Sequence, residues 1–134
     1  MNADLPSSQA AWLTSLALQA DAAPCPACAT LPSLGWEAVP SSFDRDRLEE
    51  VGALYTSDPM EATLAEYHPG PTRYWSADAP IAPKFFPYNR CTVWRCQQCR
   101  SVFLRYAEHG GYYEEERIRR VTPALVVDAE PDAS

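Results

Sequence analysis

Cys25 and Cys28 stand in "CPAC", and Cys96 and Cys99 in "CQQC". Two cysteines at this spacing can close a turn that aims both sulfurs at one point. Two such turns supply four soft thiolates, the donor set that Zn²⁺ takes tetrahedrally at about 2.3 Å. A site of four protein ligands has no open position for water, which makes the metal structural rather than catalytic. The residues predict one structural Zn²⁺ per chain, held by Cys25, Cys28, Cys96 and Cys99; iron fits the same donors. Two other readings compete, a redox pair and merely buried thiols. A thioredoxin-like pair opens a helix within a βαβ unit, and neither CxxC has that setting. Cys91, ahead of the second pair, reads as a small buried hydrophobe on a strand.

The rest of the chain is poorer in reactive groups. His68 and His109 are the only histidines. His68, in "EYHPG" beside Glu66, has the types for metal ligation or acid–base work, but Pro69 and Gly70 place it at a loop entry, where a surface histidine is the simpler expectation. His109 falls at a hairpin tip and is expected to be solvated. No P-loop, GxSxG, HExxH or GxGxxG pattern occurs. Between Glu66 and Cys91, prolines and aromatics are interleaved with Arg73, Lys84 and Arg90. His68, Arg73, Trp75, Tyr88 and Arg90 could line a groove for a peptide or small ligand. A packed loop with arginines stacked on rings explains the same residues.

Those candidates need a scaffold. At 134 residues with 46% apolar content the chain has the size and composition of one folded domain. Its 13 prolines leave little room for long helices or central strands. Eleven basic against 18 acidic residues give a net charge of −7. That balance disfavours nucleic acid and anionic membrane surfaces and suits a protein partner. Arg117, Arg119 and Arg120 follow Glu114–Glu116, which reads as a solvated, self-paired face. An odd cysteine count fits a reducing compartment better than a disulfide scaffold, so a cytoplasmic location is expected. The apolar run after Asp4 has no basic n-region, so it is not read as a secretory signal, and no stretch is long enough to span a membrane.

Residues 1–6 and 129–134 read as frayed ends. A helix capped by Ser7 or Ser8 is expected to run to about Ala20, with Trp12, Leu13, Leu16 and Ala20 on one stripe. "WEAV" fits a short strand. "PSSFDRDRLEEVGALY" reads as a helix, with Ser41 and Asp44 in a capping-box pattern and Phe43, Leu48, Val51 and Leu54 as its apolar side. Asp58, Pro59 and Glu61 have the types for the start of another helix. "TRYWS" is expected to pair as an edge strand, and Tyr74, Trp75, Phe85, Phe86 and Tyr88 to fold back as a lid. "CTVWR", "SVFLRYAE" and "YYEEERIRRV" read as three strands, joined by the CQQC turn and by "HGG".

The two CxxC turns, with the hairpin that follows the second, resemble the zinc-ribbon and rubredoxin-like class. The resemblance covers the two turns and roughly residues 91–121. It departs from the class where Ala29 and Arg100 replace the glycine that commonly follows the second cysteine, and in the long insertion between the units. The rest of the chain resembles small proteobacterial proteins, a likeness that implies no activity. The fold expected is α+β: a zinc-ribbon-like three-stranded antiparallel sheet, one or two covering helices and long proline-rich loops. Within a single domain, 7–30 holds the first helix and CxxC, 31–90 a helical and loop insertion, and 91–121 the ribbon. The expected function is a zinc-binding protein-interaction module, of accessory or inhibitor type. The alternatives are a nucleic-acid-binding zinc ribbon and a small enzyme using His68 and Glu66.

Overall fold

The computed structural model describes residues 8–31, 34–54, 63–109 and 114–130. In chain order the elements are α1 (Gln9–Ala17), α2 (Pro26–Ala29), β1 (Glu37–Ala38), β2 (Leu48–Ala53), β3 (Thr92–Cys96), β4 (Val102–His109) and β5 (Glu114–Arg120). Short 3₁₀ turns occur at Arg45–Arg47, Tyr88–Arg90 and Pro123–Leu125. The strands form one antiparallel sheet in the order β1-β5-β4-β3-β2. The architecture is α+β as expected. The expected three-stranded ribbon is present as β3, β4 and β5, but β1 and β2 extend it to five strands.

Strand alternation gives the sheet two different faces. Cys91, Val93, Val102, Leu104, Tyr106 and Val121 pack on the first face beneath Leu13, Leu16 and Ala17 of α1. Cys96, Phe103 and Ile118 lie on the second, where Cys25, Cys28, Leu31, Phe43 and Leu48 cover them. Each face has its own apolar core, and the cysteine pairs belong to the second.

α1 forms where the sequence caps it: the Ser8 hydroxyl accepts from the Ala11 amide at 3.1 Å. It ends at Ala17, short of Ala20, and buries Ala10, Leu13, Leu16 and Ala17. The segment Phe43–Leu54 is not the expected helix. Asp44 caps only the 3₁₀ turn, accepting from the Asp46 amide at 3.0 Å, and Leu48–Ala53 pairs with β3. Leu48 lies opposite Cys96, whereas the register shifts between Glu50 and Gly52. The extra residue, Val51, reverses the side-chain parity, so Leu48 enters the second core and Leu54 the first.

"TRYWS" is not a strand but a turn, closed by the Ser76 amide donating to the Arg73 carbonyl at 3.0 Å. Phe85 and Tyr88 are buried, Tyr74 and Phe86 half-buried, and Trp75 is 56% exposed, so the aromatic lid omits Trp75. A parallel bridge between Ile81 and Val126 ties the lid to the segment after β5. The helix start at Asp58–Glu61 and the two glycines of the HGG turn lie outside the described residues, as do 1–7 and 131–134.

Candidate metal centre

The first CxxC is a helix start. Cys25 precedes Pro26 at the N-terminus of α2, and the Ala29 amide donates to the Cys25 carbonyl at 2.8 Å. Proline suits this position because its missing N–H has no helical partner to lose. The turn returns the Cys28 side chain to the same side as Cys25. Ala29 therefore needs only a helical conformation, and glycine confers no advantage there.

The second CxxC caps the β3–β4 hairpin. The Cys96 amide donates to the Ser101 carbonyl at 2.9 Å, and the Arg100 amide to the Cys96 carbonyl at 3.0 Å. Arg100 has φ of 63°, the left-handed conformation that usually selects glycine. The turn thus has a left-handed residue directly after its second cysteine, filled by arginine rather than glycine. Two backbone hydrogen bonds tie this turn to distant segments. The Asp21 amide donates to the Cys99 carbonyl at 2.9 Å, and the Gln97 amide to the Arg47 carbonyl at 3.1 Å.

All four sulfurs lie within 4.8 Å of one another, and all four cysteines are buried. Cys25 Sγ and Cys96 Sγ, from opposite units, are 3.8 Å apart. A tetrahedron of sulfurs about 2.3 Å from a central ion has edges of about 3.8 Å. A disulfide would need about 2.05 Å, and all five cysteines are free. Burial, then the neighbouring Cys96, Cys99 and Cys25 thiols, pushes the Cys28 thiol far up. Burial also acts against ionisation of Cys99, yet the Cys25 amide and the Ser101 hydroxyl and amide outweigh it and bring Cys99 down to about 6. A buried Cys28 thiol that resists ionisation, beside a Cys99 thiol stabilised as thiolate by hydrogen bonds, suits a metal that replaces thiol protons.

Cys91 is excluded from the cage. It is fully buried on the opposite face, and its thiol donates to the Pro87 carbonyl at 3.3 Å.

The other candidates are dispersed. His68 Nε2 lies 2.8 Å from Glu66 Oε1, and its Nδ1 lies 2.8 Å from Thr72 Oγ1. His68, Glu66 and Tyr88 border a cavity of about 10 Å³, room for about one water. Arg90 lies 5.0 Å over the Phe86 ring and borders a separate open groove with Trp94 and Arg105. Arg73 and Trp75 are exposed, and Arg117 lies 4.9 Å over the Trp75 ring. The side chain of His109 lies outside the described residues.

The arginines of β5 depart furthest from expectation. Arg117 pairs with Glu115 and Glu108, at 2.9 and 3.2 Å. Arg119, however, is fully buried. Its guanidinium donates to the carbonyls of Leu34, Ala77 and Ala79 and to the Tyr88 hydroxyl. Arg120 reaches the Cys28 carbonyl at 3.1 Å. Self-pairing thus holds for Arg117, while Arg119 and Arg120 are clamps on backbone carbonyls rather than part of a solvated face. Strand alternation could have signalled this, since Arg119 shares parity with Val121 and Arg120 with Ile118.

Comparison with known proteins gives no match: no family model, no curated protein and no solved structure is similar to this chain. No helix among the described residues is long and apolar enough to cross a membrane.

Proposed function

We propose that the chain is a zinc-stabilised protein-interaction module in which one Zn²⁺, bound by Cys25, Cys28, Cys96 and Cys99, is structural. The observation that carries the metal reading is the convergence of four buried sulfurs from distant turns within 4.8 Å of one another, with Cys25 and Cys96 at 3.8 Å. Zinc is preferred because it takes four thiolates without redox chemistry and needs no further ligand. The metal ties the segment after α1 to the β3–β4 hairpin, so its binding free energy is folding free energy.

A protein partner is favoured over nucleic acid by the net charge of −7 and by the pairing of Arg45, Arg95, Arg100, Arg105 and Arg117 with carboxylates. Trp75, exposed beside a stacked guanidinium, has the chemistry of an interface anchor.

Elemental mass spectrometry on protein purified without added metal tests the cage. About one zinc per chain, with loss of stability on chelation, is the expected result. Absence of metal from a folded chain with five free thiols would contradict it. For the partner class, fluorescence anisotropy with single- and double-stranded oligonucleotides should show no binding at low salt. Salt-dependent binding would instead favour a nucleic-acid module.

A further inference from the structure

We infer that Arg120 is the positioning residue of the metal cage, fastening the Cys25–Cys28 turn to the sheet in its metal-binding arrangement. The inference rests on the four-cysteine reading above. Arg120 is the last residue of β5 and projects on the second face, with its guanidinium 5.3 Å over the Phe103 ring. Phe103 is fully buried and belongs to the same core as the four sulfurs. From there Nη2 donates to the Cys28 carbonyl at 3.1 Å, and the Leu31 carbonyl lies 3.5 Å away. The Cys28 carbonyl also accepts from the Leu31 amide at 3.0 Å. One guanidinium therefore holds both the ligand's own peptide and the exit of its turn.

α2 has only four residues and no side-chain cap bond. A helix this short does not hold its shape unaided, so the position of Cys28 must come from tertiary contacts. Arg120 supplies a contact between two segments distant in sequence, on the backbone of the ligand itself. Its Nε is buried without a hydrogen-bond partner, and no ion pair to a carboxylate involves it among the described residues. In this acidic chain the guanidinium is committed to backbone carbonyls instead. A cage of four thiolates around a divalent cation carries two net negative charges, and a nearby cation complements it.

The test is zinc affinity by chelator competition, together with Co²⁺ substitution, on wild type, Arg120→Met, Arg120→Lys and Lys84→Met. Methionine preserves the apolar stem over Phe103, and Lys84→Met removes the same charge elsewhere. The inference predicts that Arg120→Met folds with zinc but binds it about 10–100-fold more weakly, as expected for loss of a group that orients a ligand. Arg120→Lys should fall between, and Lys84→Met should match wild type. The tetrahedral thiolate spectrum of Co²⁺ should persist in every variant that binds it. Affinity of Arg120→Met within twofold of wild type would overturn the inference, as would equal weakening in Lys84→Met. Should Arg120→Met fail to fold, Arg120→Lys decides: weakened binding supports the positioning role, and unchanged affinity overturns it. If wild type binds neither metal, the four-cysteine reading itself fails. That outcome is distinct from a wild type that binds while the Arg120 variants bind equally well.

Discussion

Arg100 occupies the left-handed conformation at the end of the second CxxC turn, where a side chain costs about 1–2 kcal/mol. Its ion pair with Asp21, at 3.2 Å, is exposed and contributes little. Arg100→Gly should therefore stabilise the metal-loaded protein by up to about 1 kcal/mol, after the glycine's greater unfolded-state entropy is subtracted. Thermal unfolding should show a rise of about 2–4 °C in Tm; a fall would mean that the side chain contributes more than its conformation costs. A second residue sets an acid dependence. Partial burial disfavours ionisation of Glu116, but hydrogen bonds from Arg105, then Arg45, prevail and hold its carboxyl below the usual range. A lowered folded pKa stabilises the native state above the unfolded carboxylate value, near 4.3, and the gain is lost as pH falls through the folded value. Because Glu116 is one-third exposed, Glu116→Gln should cost only about 0.5–1 kcal/mol at neutral pH. In urea titrations that difference should shrink below about pH 4; a constant gap would contradict the assignment. Cys91 offers a contrast with the cage. Cys91→Ala should cost about 1 kcal/mol and leave metal stoichiometry unchanged, whereas Cys96→Ala should abolish it.

At the scale of elements, backbone approach matters more than helix propensity. A Cβ at Gly35 would lie 2.5 Å from the Trp75 carbonyl oxygen, and one at Gly52 would lie 2.8 Å from the Trp12 ring. Gly35→Ala must displace backbone, while Gly52→Ala must displace a half-buried indole. Both should destabilise, within the range of about 1–3 kcal/mol for overpacking, and Gly35→Ala should cost more. Denaturant midpoints would show the order, and a neutral Gly35→Ala would contradict the close approach of 34–36 to 75–76. The segment carrying Gly52 also shows where the sequence misleads. Leu48, Val51 and Leu54 are three apart, the spacing of a helix face, but a bulge at Val51 lets a strand distribute them between two cores. No local signal separates these outcomes, because pairing with β3 decides them. By contrast, β3 and β4 were legible from their β-branched and aromatic runs around a fixed turn, and α1 from Ser8. The convergence of the four cysteines was legible from spacing alone, since CxxC fixes each pair locally. Arg119 and Arg120 were obscured by Glu114–Glu116, because charge patterning does not reveal which side of a sheet is covered.

Across the whole molecule, the sheet separates an aromatic, helix-covered core from a smaller core centred on four thiols. The second core has few large residues besides Phe103, Ile118, Leu31, Leu48 and Phe43. Removing the metal should therefore loosen that face first. Hydrogen exchange on the chelated protein should rise at Cys28, Leu31 and Cys96 before it rises at Val93 or Leu104. Uniform loss of protection would mean that the two cores melt as one unit. The central claim is tested most directly by zinc K-edge X-ray absorption on the protein as purified. The account predicts four sulfur neighbours at about 2.3 Å and no nitrogen or oxygen in the inner shell. A site with oxygen or nitrogen ligands, or a folded chain that holds no metal, would contradict it.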